Sequence, residues 1–421
     1  MSDVLQLTSQ CNRSGVPVLD QPQLVYILTE LTPGTAVNNV RLPLNFALVL
    51  DRSGSMAGAK LKTMKEAVKN IIDQLDPADV ISIVTFETRT EVLVRAQTAT
   101  NKADLKRQVD RINDGGGTNM APGLREGLNL VSQRQGPERV SRVILLTDGE
   151  ATDKEDESRH EADRAGQMAI PIIGLGFGEK WNHNFVIDLA DRSVNAPPGS
   201  QTGSADYIPT PSEANKIFQQ VYQSMQVVVQ DVTITTRMVQ GLEARRVWQV
   251  VPAIKDIGSG VIQGRAIVIP AGQLERGGAA FLAEVMLPPR PPGMVRIAQT
   301  DASYTAPGRG QQREAVDLIV NFTQDPAQAS LFNGHVMNIV EKVQAFKLQT
   351  QALDEAEMGN VSGATQKLRQ AVTILLSQGE SDLAQQMQKE ADRLEQSGEM
   401  SSEAKKTIKL TSRKTVKLSD E

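Results

Sequence analysis

A short apolar run, Phe46 to Leu50, ends in Asp51-Arg52-Ser53-Gly54-Ser55, and a helical pattern follows from Lys60. No other feature constrains the fold as much. Such a run, bounded by turn residues, reads as a buried strand. One carboxylate and two hydroxyls therefore stand on a tight loop between a strand and a helix. In open α/β sheets ligands bind at the carboxyl ends of strands. All three side chains are hard oxygen donors, which suit Mg²⁺ and not zinc or copper. Gly54 is expected to provide the sharp turn that points both serines the same way.

Residues 44–225 continue the alternation. Val80 to Phe86, Val143 to Leu146 and Ile170 to Gly174 read as strands. Lys60–Leu75, Lys102–Ile112, Pro122–Val131, Ser158–Met168, Asn184–Asp191 and Ser212–Met225 read as helices. The alternation predicts a mostly parallel sheet with helices on both faces. Asp79–Phe86 followed by Thr90–Ala96 resembles a hairpin, so one edge is expected to be antiparallel. Two further loops join the first. Gly115-Gly116-Gly117-Thr118-Asn119 precedes a helix and offers the Thr118 hydroxyl. Val143 to Thr147 leads into Asp148 and Gly149, a second carboxylate at a strand end.

Together Asp51, Ser53, Ser55, Thr118 and Asp148 resemble the metal-ion-dependent adhesion site of von Willebrand factor A (VWA) domains, whose pattern is Asp-x-Ser-x-Ser, then Thr, then Asp. The match has no departure, and the resemblance covers roughly Leu44 to Met225. It implies a doubly wound, Rossmann-like fold and a bound Mg²⁺, with Ca²⁺ or Mn²⁺ as substitutes. An octahedral ion takes six oxygens. Ser53 and Ser55 are expected to bind directly; Asp51, Thr118 and Asp148 supply the rest, directly or through water. At least one position stays open for an Asp or Glu from a partner protein. Two carboxylates roughly neutralise the ion, which stays electrophilic enough to attract a third.

The competing reading is that these five are capping and turn residues. Three separate strand-end loops with matched oxygen ligands favour the metal. Enzymatic readings find less support. Gly54 to Lys60 lacks the adjacent Gly-Lys and the following Ser or Thr of a phosphate-binding loop. Asp51-Arg52-Ser53 lacks the second Asp of an aspartyl phosphatase. Gly174, Gly176 and Gly178 lack the spacing of a dinucleotide-binding turn. His160, His183 and His335 are far apart, with no Cys or His at metal-ligand spacing. No positioned general base accompanies the site, so binding is expected and catalysis is not. Asp153, Asp156 and Glu157 form an acidic cluster past Asp148. It reads as a solvated helix start, or as a modifier of the charge preference for ligands.

The remaining chain sets the context. Its 421 residues accommodate two or three domains, and a net charge of −5 gives no general nucleic-acid surface. One cysteine, Cys11, excludes an intramolecular disulfide framework and fits a reducing compartment. No signal-peptide pattern opens the sequence and no apolar run approaches the ~20 residues of a membrane span. A cytoplasmic location is the expectation. Residues 1–43 carry strands at Val4–Leu7 and Leu24–Leu28, and residues 226–325 read as strands separated by Gly and Pro. Val227–Val229 and Val232–Thr236 read as two of these, and Pro288 to Pro292 as a stiff loop. The two segments together predict an antiparallel β-sandwich into which the VWA domain, residues 44–225, is inserted. Bacterial members of the family often resemble that arrangement. Residues 326–397 carry three helical patterns, a small bundle, and residues 398–421 read as a flexible polar tail.

The function so implied is a metal-dependent protein–protein interaction module, a signalling or assembly scaffold. The alternative is the VWA subunit of an ATP-driven (AAA+ type) chaperone or metal-insertion complex. In the tail, Thr407-Ile408-Lys409-Leu410 recurs as Thr415-Val416-Lys417-Leu418. A Thr with an aliphatic residue three positions on resembles the phosphothreonine motif read by forkhead-associated domains; a short hairpin or plain disorder is the competing reading.

Overall fold

The structure is a computed structural model, and it describes residues 4–37, 42–136, 138–149, 155–178, 181–194, 204–401 and 405. Asp153 of the acidic cluster and the tail threonines Thr407 and Thr415 lie outside the described residues. The chain divides into two compact units, residues 41–227, and residues 1–40 with 228–421.

The first strands of the chain are β1 (Leu5–Cys11), β2 (Gly15–Pro17) and β3 (Gln23–Pro33). The unit formed by residues 41–227 then begins with β4 (Leu44–Asp51), α1 (Ala59–Gln74), β5 (Val80–Phe86) and β6 (Thr90–Thr98). It continues through α2 (Lys102–Asp110), α3 (Met120–Ser132), β7 (Val140–Thr147), α4 (Glu155–Gln167) and β8 (Ile172–Phe177). It closes with α5 (His183–Arg192), β9 (Ser204–Ile208) and α6 (Pro211–Ser224).

These six strands form one sheet in the order β6-β5-β4-β7-β8-β9, parallel except for the β5–β6 hairpin. Every residue of β4 is buried. Phe46, Leu48 and Leu50 pack with Met64, Val68 and Ile71 of α1 and Phe218 of α6. Ala47 and Val49 pack on the other face with Leu124 and Leu128 of α3, Ala162 of α4 and Leu189 of α5. A strand covered on both faces needs a continuous apolar run and not an alternating one. Gly174 and Gly176 of β8 lie under α5 and Trp181: a β-carbon at either would overlap Val186 or the Trp181 ring. Their spacing answers to packing, which is why it matches no nucleotide-binding turn. The ends of this unit meet, the Leu42 N–H donating to the Val227 carbonyl at 3.5 Å.

The other unit adds β10 (Val227–Met238), β11 (Glu243–Val251), β12 (Lys255–Gly258), β13 (Ile262–Gln263) and β14 (Ala266–Glu275). There follow β15 (Ala279–Leu287), β16 (Gly293–Ala306), β17 (Gly310–Thr323), the short α7 (Pro326–Ala329), α8 (Gly334–Glu357), α9 (Val361–Ser377) and α10 (Ser381–Ser397). Two sheets form, β1-β3-β15-β11-β12 and β13-β14-β10-β16-β17-β2. The early strands thus pair across the intervening unit, Leu31 opposite Ala279 and Ile27 opposite Ala283. Both sheets feed one apolar cluster, with Ile27, Val247 and Val285 from the first and Ile234, Tyr304 and Val320 from the second. The other face of the first sheet, at Leu28, Trp248 and Leu282, is covered by Val336, Val340, Val343 and Phe346 of α8. Further along, Ala352 and Leu353 of α8 pack with Leu368 of α9 and Met387 of α10.

Three differences from the sequence-based expectation have physical causes. Val227–Val229 and Val232–Thr236 are one strand and not two; a bulge with Asp231 at φ 54° interrupts its register. The strand β16 is not marked out by its own residues, because Arg296 to Ser303 contains few β-branched side chains. It forms through its two neighbours, β10 on one side and β17 on the other. β9 was also missed: Ser-Ala-Asp-Tyr-Ile carries little strand propensity, and parallel pairing with β8 holds it.

Candidate metal centre

Two strand ends and one helix-to-helix loop converge at the carboxyl edge of the parallel sheet; Thr118 stands on the loop between α2 and α3 and not at a strand end, as the sequence had suggested. Asp51 ends β4 and Asp148 follows β7, and the two strands are neighbours. Asp51 is fully buried. Its Oδ1 accepts from the Ser53 N–H at 2.8 Å and its Oδ2 from the Thr147 hydroxyl at 2.7 Å. Ser53 Oγ and Ser55 Oγ lie 3.1 Å apart, and Ser55 Oγ donates to Asp148 Oδ1 at 2.7 Å. Thr118 is brought to the same place: a β-carbon on Gly149 would sit 3.5 Å from Thr118 Oγ1 and 4.0 Å from Ser55 Oγ. The structure therefore gathers all five residues singled out in the sequence. Asp51, Ser53, Thr118 and Asp148 form a buried floor and Ser55 is exposed at the rim.

The loops are cross-braced. Gly115 N–H donates to the Arg52 carbonyl at 2.8 Å and Gly54 N–H to the Gly116 carbonyl at 3.1 Å, joining the serine loop to the threonine loop. The Asn119 N–H donates to the Glu87 carbonyl at 2.7 Å, tying the threonine loop to the end of β5. The turn itself differs from expectation. Gly54 has no left-handed backbone; that conformation belongs to Gly58, at φ 76°, where the loop enters α1. A short 3-10 turn over Gly54–Met56, closed by the Met56 N–H on the Ser53 carbonyl at 2.9 Å, brings the two serine hydroxyls together.

Burial pushes the Asp51 carboxyl above the usual carboxylate range; the bonds from Ser53 and Thr147 oppose that push, and the nearby Asp148 adds to it. A floor of two close carboxylates attracts positive charge, and a cation already touches it: Lys60 Nζ pairs with Asp148 Oδ2. The donor set of carboxylates and hydroxyls fits a hard divalent ion. Among the described residues no group of three or more His, Cys, Asp or Glu is placed to hold a metal, so such an ion relies on hydroxyls as much as on carboxylates.

Sequence reasoning missed Lys60, Thr147, Glu87 and Arg52. Thr147 is adjacent to a residue it did select. Lys60 begins the helix after the serine loop, a position visible in the sequence, but its direction back toward Asp148 is not.

Comparison with known proteins bears on this region first. Residues 45–198 match the von Willebrand factor type A domain family. This segment is a VWA domain. Residues 334–418 match a second family, described as the Sll0103-like C-terminal alpha-helical domain, which runs past α10 into the tail. An uncharacterised protein, sll0103 of Synechocystis sp., is 36% identical over 186 residues, 44% of this chain and 42% of that protein. The human inter-alpha-trypsin inhibitor heavy chain H3 is 33% identical over 161 residues, 35% of this chain and 18% of that protein. The chain thus spans less than half the length of these relatives. Among solved structures, a von Willebrand factor type A protein from Catenulispora acidiphila superposes with a TM-score of 0.75 at 20% identity, over 99% of this chain and 98% of that one. The ArnB paralog VWA2 from Sulfolobus acidocaldarius superposes at 0.57 and 16% identity, over 97% and 98%. These two likenesses are likenesses of fold, and they extend beyond the VWA domain to nearly the whole chain. No helix among the described residues is long and apolar enough to cross a membrane.

Proposed function

We propose that the VWA domain binds a divalent cation, Mg²⁺ in the first instance, and through it a carboxylate of a partner protein. The observation that carries this reading is the convergence of Asp51, Ser53, Ser55 and Asp148 in one hydrogen-bonded cluster with a buried floor and an exposed rim. Asp51, Ser53, Ser55, Thr118 and Asp148 would hold the ion, which when bound supplies an electrophilic centre for an incoming Asp or Glu. The chain's own contribution is to keep the five oxygen donors close and Ser55 open to solvent. Both oxygens of Asp51 accept hydrogen bonds from protein groups, which supports binding over general-base chemistry. On this reading the chain is not an enzyme.

The two sheets of the other unit are read as a β-sandwich interrupted by the VWA domain, with α8 to α10 as a helical module. A bacterial, cytoplasmic setting is part of the proposal. The cytoplasmic part is supported by the cysteine count: Cys11 is the one cysteine, which leaves no intramolecular disulfide and fits a reducing compartment.

Calorimetric titration of Mg²⁺ into the full chain and into Asp51→Ala tests the ion. Binding heat in the wild type and its loss in the variant are expected; equal heats overturn the assignment. Capture of partner proteins with and without chelator then tests the second half. For the tail, a peptide of residues 405–421 with and without phosphate on Thr415, titrated against a forkhead-associated domain, tests the phosphothreonine reading. Equal affinity of the two forms removes it.

A further inference from the structure

Asp148 is the acid of the site that is paired with a cation. Its side chain has no exposed surface, yet both oxygens are engaged: Oδ1 by the Ser55 hydroxyl, Oδ2 by the ammonium of Lys60. A buried carboxylate without a counter-charge is costly, so some cation belongs at this position.

Lys60 is poorly placed by its own helix. It is the second residue of α1, where the exposed N–H groups repel a cation, and that first turn contains no acidic residue to offset the repulsion. Its attachment comes from across the site. From the far side, a β-carbon on Gly178 would lie 3.6 Å from both Cε and Nζ of Lys60, so the residue just past β8 stands beside the end of the side chain. Yet Lys60 remains partly exposed, at 31% of its side-chain surface. A long, flexible stem with that much exposure can withdraw to water without any change in the backbone.

We propose that Lys60 is a built-in competitor of the divalent ion. In the ion-free protein its ammonium neutralises Asp148, and an ion that takes Asp148 as a ligand must displace it. The inference deepens the proposed function and rests on it. Displacement costs one close ion pair for each ion bound, and any ammonium that stays near repels the dication. The lysine therefore sets the concentration of divalent ion at which the site loads. It also protects the empty site, because the carboxylate is never left without a cation.

The test uses the full chain and two probes, Mg²⁺ and Mn²⁺, in calorimetric titrations of the wild type, Lys60→Met, Lys60→Gln and Lys60→Arg. Removing one charge this close to a dication is expected to tighten binding by about tenfold or more in the Met and Gln variants. The Arg variant keeps the charge and is expected to stay nearer the wild type than either neutral variant. A second readout needs no ion: in chelator, Lys60→Met is expected to melt below the wild type, and saturating Mg²⁺ is expected to close the gap. If the wild type binds ions and the Met and Gln variants bind them no more tightly, the competitor role is overturned and the metal site stands. If the wild type binds neither ion, the metal site falls and Lys60 falls with it.

Discussion

A β-carbon on Gly116 would overlap Oε2 of Glu87. Glu87 has little room to retreat: it is buried, its Oε2 accepts from the Thr88 N–H, and its Oε1 lies 3.5 Å from Arg52. The glycine-rich loop that delivers Thr118 is thus seated against an acid at the end of β5. That acid is in turn held by the arginine inside the Asp-x-Ser-x-Ser stretch. Gly116→Ala is expected to lift this loop and weaken divalent binding by roughly tenfold, about 1.4 kcal/mol. The rest of the VWA domain should stay folded. Mg²⁺ calorimetry beside circular dichroism checks it; wild-type affinity in the variant would show that the loop yields without moving Thr118.

Asp51 gives a pH signature. Its folded carboxyl lies above the ordinary value of 3.8, so the folded, ion-free protein holds this proton more tightly than the unfolded chain does. The stabilisation is complete below the unfolded value and is lost as pH rises through the folded one. At neutral pH the ionised Asp51 is therefore a burden on the empty site. Asp51→Asn keeps an acceptor for the Ser53 N–H and is expected to melt higher than the wild type in chelator at pH 7.5. The expected gain is roughly 2–4 °C, the shift produced by about 1 kcal/mol in a domain of this size. The gap is expected to shrink as pH falls toward 4.5, and differential scanning fluorimetry across that range measures it.

Thr147 acts on the ion through Asp51. Thr147→Val keeps the shape and removes the donor to Oδ2. The carboxylate then loses one of the bonds that favour its charged form. Ion affinity is expected to fall, and by more at pH 6 than at pH 8, since the lost donor favours the ionised carboxylate. Titrations at the two values check it; an equal deficit at both would point to a geometric cause.

Phe346 tests the other unit. Its ring meets Trp248 edge-on, with centroids 6.3 Å apart, where α8 covers the first sheet. Phe346→Ala is expected to destabilise that unit by about 3–5 kcal/mol, the usual cost of deleting a buried aromatic side chain. Chemical denaturation followed by tryptophan fluorescence in a Trp181→Phe background, where Trp248 is the one emitter, measures it. Mg²⁺ affinity of the VWA domain is expected to be unchanged.

The five candidate ligands were legible because each stands close to a strong local signal: an apolar run followed by a tight loop for Asp51, Ser53 and Ser55, an apolar run for Asp148, a glycine run for Thr118. The same holds for α1 and α3, whose apolar spacing is that of a helix with one buried face. Lys60 and Glu87 were not legible, since their partners are supplied by other strands and loops. β16 shows the limit for the fold. Its residues specify a strand only once β10 and β17 lie on either side, and such pairing leaves little trace in local composition. α8 carries apolar residues around its circumference because the sheet claims one face and α9 and α10 another.

The hydrogen bond between Leu42 and Val227 bears on how such a chain is made. During synthesis β3 is complete long before β15, and their pairing joins Leu31 to Ala279. A nascent chain would have to hold that early strand in reserve across the whole intervening segment. That segment forms a compact unit with its own core, and if it folds first its two ends stand one hydrogen bond apart. The span that β3 and β15 must close shrinks about fourfold, which reduces the closure entropy by roughly 1.2 kcal/mol. Folding the VWA domain first therefore converts a late, distant pairing into an ordinary one.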